Sequence, residues 1–312
     1  VPRGSQRTAL TVLGTVGAVG AAAAVWGIGI ERYLFTVREH DLAVLPPGSP
    51  SVSVLHLSDA HMAPWQHRKQ DWIAGLERLA PDLIVNTGDN MGHPDGLRGL
   101  RAAFDAFRGV PGVFVHGSND HAAPSPRNPL KYFSGPSKVV REEDPLDTTA
   151  LDSYLGDELG WLDLNNAVGS LEVAGLRIDT FGVSDAHRGW DRLEVLPDLL
   201  AAQRSTGSAA ITLGVSHAPY RRVLDAFTGF GADVILAGHT HGGQVRIPGS
   251  RSALVANCDI PLDQARGLSS WTHQGRTVPL NVSAGLGHSI YAPVRFGCRP
   301  EASLITLRAG RR

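Results

Sequence analysis

Five short apolar runs in this chain each end on a polar cluster, and that pattern narrows the fold more than any other feature. Residues 51–57 lead to Asp59-Ala-His61, residues 83–85 to Gly88-Asp89-Asn90, and residues 112–115 to Ser118-Asn119-Asp120. Residues 210–215 lead to Ser216-His217, and residues 233–236 to Gly238-His239-Thr-His241-Gly-Gly. Short apolar runs bounded by turn residues read as buried strands. Between the first three lie helix-period stretches: residues 71–79, with Trp72, Ile73, Leu76 and Leu79 on one face, and residues 97–107. Strand, helix, strand, helix, strand at this pace predicts βαβ units and a mostly parallel sheet. In such sheets the loops beyond the carboxyl ends of the strands converge on one site. All five clusters hold that position.

The rest of the chain fits one α/β domain over residues 33–312 with a core of two sheet layers. Residues 171–179, with Gly175 in the middle, predict a hairpin, and residues 254–256, 280–283 and 303–307 are short strand-like runs. Residues 122–147 carry five prolines and no sustained periodicity. They form a long loop beside the candidate site, either a lid or a mobile surface segment. With 42% apolar and 19% charged residues the chain can bury a sizeable core. A net charge of −1 offers no general basic field, so no nucleic-acid partner is expected. Cys258 and Cys298 make no zinc site by themselves and either pair once or stay independent thiols.

The first five residues, Val-Pro-Arg-Gly-Ser, read as a protease-site remnant and are set aside. Residues 8–30 contain no charge and are long enough to cross a bilayer. Rich in Ala and Gly, the segment would insert less strongly than a Leu-rich one. It can be a membrane anchor, a cleaved signal peptide or a buried core helix. Trp26 and Tyr33 near its exit favour an anchor over residues 6–32. Arg7 on one side and Arg32 and Arg38 on the other barely choose an orientation. By signal-anchor logic the expectation is a single pass with the bulk of the chain, the domain over residues 33–312, outside the cytoplasm.

The clusters carry chemistry. Asp59 and His61, one residue apart, can face the same side of an extended turn, and His239 and His241 repeat the spacing. Gly238, Gly242 and Gly243 let the backbone turn sharply beside them. Mixed Asp, Asn and His donors without Cys suit two first-row ions, divalent or trivalent: Mn, Fe or Zn.

On Asp59-Ala-His61, Gly88-Asp89-Asn90, Asn119, His217 and Gly238-His-Thr-His241 the chain resembles the calcineurin-like metallophosphoesterases. The string GHTHGGQ, from Gly238 to Gln244, resembles their bacterial membrane-associated branch, as does the tail through Gly285-Leu-Gly287, residues 293–297 and Pro300-Glu301. The resemblance implies a four-layer α/β/β/α sandwich. It implies one metal on Asp59, His61 and His241, a second on Asn119, His217 and His239, and Asp89 bridging them. Two such ions would polarise phosphate oxygens and acidify a water for in-line attack.

One position departs from the family pattern, which commonly has histidine after the asparagine to assist the leaving group. Here Asp120 follows Asn119, and His121 comes one place later. An ordinary carboxylate is ionised at neutral pH and a poor acid. Asp120 is therefore structural, or His121 replaces the usual acid, or Asp120 itself serves. Arg127, Lys131 and Arg295 are candidate phosphate binders, and His93, His116 and His288 lie near enough to the motifs to touch substrate. His56, His67, His187 and His273 read as packed or loop residues.

The functional expectation is a dinuclear phosphodiesterase or pyrophosphatase held at a membrane, acting on a lipid-linked or nucleotide-containing substrate. Two alternatives stand beside it: a phosphodiesterase of soluble substrates such as cyclic nucleotides, and a catalytically weak, membrane-tethered metal-binding module.

Overall fold

The computed structural model describes residues 3–124 and 145–310, with side chains from Gly14 onward. Most of the 122–147 loop, including Arg127 and Lys131, lies outside the described residues, as do the terminal residues Val1 and Pro2.

Two six-stranded sheets form the centre. The first runs β1 (Thr36–Leu45), β12 (Glu301–Ala309), β2 (Val52–Leu57), β3 (Leu83–Asn86), β4 (Gly112–Phe114) and β5 (Leu162–Asp163). The second runs β10 (Gly267–His273), β11 (Arg276–Val282), β9 (Val234–Ala237), β8 (Ile211–Ser216), β7 (Leu176–Val183) and β6 (Ala167–Val173). Each is mostly parallel. The exceptions are β12 against β2, and the hairpins β6–β7 and β10–β11.

The period-2 pattern of the strands explains the layering. In β2, Val52 and Val54 enter the core between the sheets, whereas Leu55 and Leu57 enter a second core on the opposite face. In β9, Val234 and Leu236 face the inter-sheet core and Ile235 faces a third. That second core is closed by α2 (His67–Ala74) and α3 (Gly96–Phe104), which contribute Ile73, Leu100 and Phe104. The third is closed by α6 (Leu196–Ser205) and α7 (Arg221–Phe230), through Leu200, Leu224 and Phe227. Three cores between four layers make the expected α/β/β/α sandwich.

The expected strands are all present except residues 254–256, which stay irregular. The first helix begins at His67 rather than residue 71 and tightens to a 3₁₀ turn through Leu79. Its first turn, His67-Arg-Lys-Gln, is polar and gives no apolar period to read. The edge strand β1 and the helices α6 and α7 are additions to the sequence reading.

At the N-terminus α1 (Arg3–Ala24) continues as a wider π turn to Ile30 and a 3₁₀ turn to Tyr33. The 20 residues Gly14–Tyr33 are long and apolar enough to cross a membrane, by length and composition alone. The end of this helix is part of the domain. Glu31 is buried, and its carboxylate accepts from the Gly297 and Cys298 N–H groups (3.0 and 2.8 Å) and from Trp26 Nε1 (2.7 Å). The Arg295 N–H donates to the Gly27 carbonyl (3.1 Å). Both cysteines are buried and free.

Candidate metal centre

All seven predicted ligands lie at carboxyl ends of parallel strands. β2 delivers Asp59 and His61, β3 Asp89, and β4 the short turn α4 (Ser118–His121) that carries Asn119. From the other sheet β8 delivers His217, and β9 delivers His239 and His241. The two loop systems are laced together. Asp59 and His61 N–H groups donate to the Gly88 and Asp89 carbonyls (2.8 and 2.9 Å). The His239 N–H crosses between sheets to Asp59 Oδ2 (3.0 Å).

The donor atoms converge. Nε2 of His61 and of His241 are 3.0 Å apart, and His241 Nε2 is 3.6 Å from Asp59 Oδ1. His217 Nε2 is 3.3 Å from His239 Nδ1. Asp89 sits between the two groups, with Oδ2 3.5 Å from both His61 Nε2 and His217 Nε2. Asn119 holds the same carboxylate through its backbone N–H (2.9 Å) and its amide (2.6 Å). Two sets of carboxylate and imidazole atoms, Asp59 with His61 and His241, and Asp59 with Asp89 and His217, each lie within 4.8 Å of one another.

Backbone outside the site fixes which ring nitrogens face inward. His217 Nδ1 donates to the Thr87 carbonyl (2.7 Å), so its Nε2 is the nitrogen turned to the centre. His239 Nε2 donates to the Asn257 carbonyl (3.2 Å), so its Nδ1 is turned there likewise. Five of the seven residues hold a left-handed backbone: Asp59 (φ 49°), His61 (39°), Asp89 (54°), His239 (68°) and His241 (49°). Each such non-glycine residue costs about 1–2 kcal/mol, and strain of this kind persists where it places functional groups. Gly117 and Gly238 are required for space: a Cβ on the first would collide with the Asp89 carboxylate, and on the second with Ser58 Oγ.

The local field favours a cation. Burial is the largest influence on every group here. It raises the Asp59 carboxyl to about 6, against the pull of His217 and with the push of Asp89. It lowers His61 to about 4, despite Asp89. For Asp89 burial is outweighed by His217, His61 and the Asn119 N–H, which hold it well below the carboxylate range. For His217 burial is outweighed by Asp89, Asp185 and Asp59, which push it well above the usual histidine value. Convergent buried carboxylates and inward-turned oxygen and nitrogen atoms, with no thiol among them, match first-row cations.

Asp120 is buried, and both its oxygens are occupied. Oδ2 accepts the N–H groups of Asp89 (2.8 Å) and Gly117 (3.0 Å), and Oδ1 accepts those of Asn90 (2.7 Å) and Met91 (3.1 Å). His121 is partly buried, its ring edge-on to Trp190 and His116 at centroid distances of 5.0 and 5.2 Å. Burial, then the neighbouring His116, lowers its pKa.

Other sequence candidates fall differently. Arg295 is fully buried and spends its guanidinium on the carbonyls of His241 (3.2 Å), Ala284 (2.8 Å), Gly285 (3.3 Å) and Gly287, so it is no exposed phosphate binder. His116 is bonded to Asp152 (2.6 Å), and His288 to the Ser289 carbonyl (3.0 Å). His93 packs edge-on to Trp65. His56 is buried and bonded, as read from sequence. His187 is not a plain loop residue: its ring lies 4.5 Å from that of His239, and Nδ1 is 2.9 Å from the Tyr220 hydroxyl. Beside it Asp185 is buried, raised to about 6 chiefly by that burial, and its Oδ2 has no hydrogen-bond partner among the described residues. The missed signal was legible: Asp185-Ala-His187 after β7 repeats Asp59-Ala-His61 after β2.

The sequence model of the calcineurin-like phosphoesterase family matches residues 52–243. The uncharacterized metallophosphoesterase YkuE of Bacillus subtilis is 24% identical over 94% of this chain and 93% of its own length. The metallophosphoesterase YkoQ of the same organism is 23% identical over 82% of this chain and 84% of its own. Among solved structures, the NAD nucleotidase of Haemophilus influenzae aligns at TM-score 0.46 and 13% identity over 76% of this chain and 51% of that one. The calcineurin-like phosphoesterase YfkN of B. subtilis aligns at 0.41 and 14% over 76% and 82%.

Proposed function

This chain belongs to the calcineurin-like phosphoesterase family and is a metal-dependent phosphoester hydrolase; on that premise we propose a membrane-held phosphodiesterase or pyrophosphatase acting on a lipid-linked or nucleotide-containing substrate. The observation that carries the proposal is the seven-residue donor set gathered from both sheets onto strained backbone. One ion would be held by Asp59, His61 and His241, and a second by Asn119, His217 and His239, with Asp89 between them. Bound there, such ions supply Lewis-acid charge for phosphate oxygens and a more acidic water.

The chain's own residues do the rest. The Thr87 and Asn257 carbonyls fix the tautomers of His217 and His239. Asn119 holds Asp89 in place through two hydrogen bonds. Asp120, by accepting four N–H groups, serves as the clamp that shapes both the Asp89 loop and the Gly117 turn. It is a positioning residue on this reading, and His121, with no side-chain hydrogen bond among the described residues, is the proton donor to the leaving group; because burial lowers its pKa, that donation draws on the protonated fraction of the ring and is favoured by acid.

Membrane attachment is supported by the way the apolar helix ends. Cleaving it as a signal peptide before Glu31 would strip Gly27 and Trp26 from a packed junction. An anchor keeps that junction whole. The reading is tested on full-length protein in nanodiscs, with metal analysis alongside a panel of soluble and lipid-linked phosphodiesters and pyrophosphates. Preference for the lipid-linked or nucleotide-containing members supports it. Equal hydrolysis of every diester sinks the lipid claim, and inertness with both metals bound favours a binding module.

A further inference from the structure

We propose that the phosphoesterase domain itself rests on an anionic bilayer, through an apolar collar around the exit of the N-terminal helix; this rests on the anchor reading above. Ile28 and Ile30 on the helix end are 44% and 42% exposed. Val245, Ile247 and Tyr291, from two distant segments, are 38%, 60% and 51% exposed. Singly such residues are ordinary. Here hydrogen bonds between neighbouring residues tie the three segments that carry them together. The Arg295 N–H reaches Gly27, the Arg246 N–H reaches the Phe296 carbonyl (2.8 Å), and Gln244 Nε2 reaches the Ala292 carbonyl (2.8 Å). Gly27 itself packs against Val294.

The rim of this patch has the chemistry of a headgroup layer. Tyr33 lies under two guanidinium groups, Arg32 at 4.5 Å and Arg68 at 5.5 Å from the ring centroid. Aromatic rings and arginines with apolar stems settle at membrane interfaces, and basic side chains there are drawn to anionic lipids. Continuity with the apolar span chooses the occupant. With Gly14–Tyr33 inserted, the ground beside its exit is headgroup, and a protein partner or second copy would have to displace lipid to reach it. The collar also has a bearing on the site. His241 lies four residues before Val245, and Arg295, whose backbone meets the helix, holds the His241 carbonyl. The interface is thus built on the back of a ligand loop.

The test uses full-length protein in nanodiscs of phosphatidylcholine with and without phosphatidylglycerol. Ile247→Cys and Tyr291→Cys are labelled in turn with an environment-sensitive fluorophore and challenged with nitroxide-bearing lipids, the buried native thiols being controlled by unsubstituted protein. Glu172→Cys is the reference, since it is exposed on the β6–β7 hairpin at the end of the sheet opposite the carboxyl ends. Expected is quenching at residues 247 and 291 several-fold above residue 172, stronger with phosphatidylglycerol. Quenching equal to the reference overturns the proposal, as does cross-linking of copies through residue 247 or 291 in place of quenching. Equal quenching in both lipid mixtures overturns its anionic part. Hydrolysis of a soluble aryl phosphodiester is followed on the same discs, so loss of activity and loss of lipid contact are told apart.

Discussion

Asp89 is the residue on which the two halves of the site depend, because its Oδ2 is equidistant from His61 and His217. Asp89→Ala should lower turnover by at least roughly 10²–10³-fold, the scale for losing one preorganised electrostatic contact. Metal analysis of the variant should show fewer than two ions per chain; full occupancy would remove Asp89 from the bridging role. Asp120 and His121 separate by leaving group. If His121 delivers the proton, His121→Ala should cost about 10²–10⁴-fold on alkyl diesters and little on aryl diesters, whose leaving groups need no acid. Unchanged alkyl turnover would exclude it. Asp120→Asn replaces one of two accepting oxygens by a donor, so at least one pair of the N–H groups it now receives loses its acceptor. Its loss should appear in melting temperature and metal affinity, the latter by about 10–100-fold, for aryl and alkyl substrates alike.

At the scale of elements, the two sheets are joined near the site by polar contacts as well as by the apolar core. His56 on β2 takes Thr87 Oγ1 on one nitrogen (2.9 Å) and the Asn281 amide of β11 on the other (2.9 Å), and Asn281 also donates to Ser303 on β12 (3.2 Å). Burial lowers the His56 pKa to about 3. The unfolded chain takes up the proton near 6.5, so stability is intact above that value and falls as pH drops from about 6.5 towards 3. His56→Gln keeps polar contacts without a titrating ring and should flatten that acid limb, measured as urea midpoints across the range. An unchanged acid limb would assign it to other groups. This bridge also marks what was legible in the chain. Strand runs such as Val52–Leu57 and Val234–Ala237 showed themselves because alternate residues feed two different cores. His56 reads as a packed residue, yet its partner on β11 is 225 positions away, and no local pattern encodes that. The seven residues proposed as donors stood out because each follows a strand end in sequence. Asp185 and His187 obey the same rule, but β7 precedes them as the return strand of a hairpin, and the hairpin signal hid the strand end. Arg295 was misread because an arginine in a Gly-rich tail looks exposed, whereas the carbonyls that consume it come from the loops after β9 and β11.

For the whole molecule, the question is whether the apolar helix bears on the site. Its junction with the domain answers through Glu31, whose carboxylate receives the Gly297 and Cys298 N–H groups. Those residues lie two and three positions after Arg295, and the Arg295 guanidinium supports the carbonyls around His241. A disturbance at the helix exit therefore has a short covalent and hydrogen-bonded route to a proposed metal ligand. Glu31→Ala leaves the two N–H groups without their acceptor and Trp26 without its partner. A buried donor left unpaired costs about 1–3 kcal/mol, and for a domain of this size each kcal/mol moves the melting temperature by about 2–4 °C. Glu31→Gln keeps one accepting oxygen and should recover part of the loss. If the junction also positions His241, both variants should weaken metal binding in the same order, Ala more than Gln, by titration of the metal-stripped protein. A fall in melting temperature with unaltered metal affinity would leave the helix end as a segment that stabilises the domain and does nothing to its site.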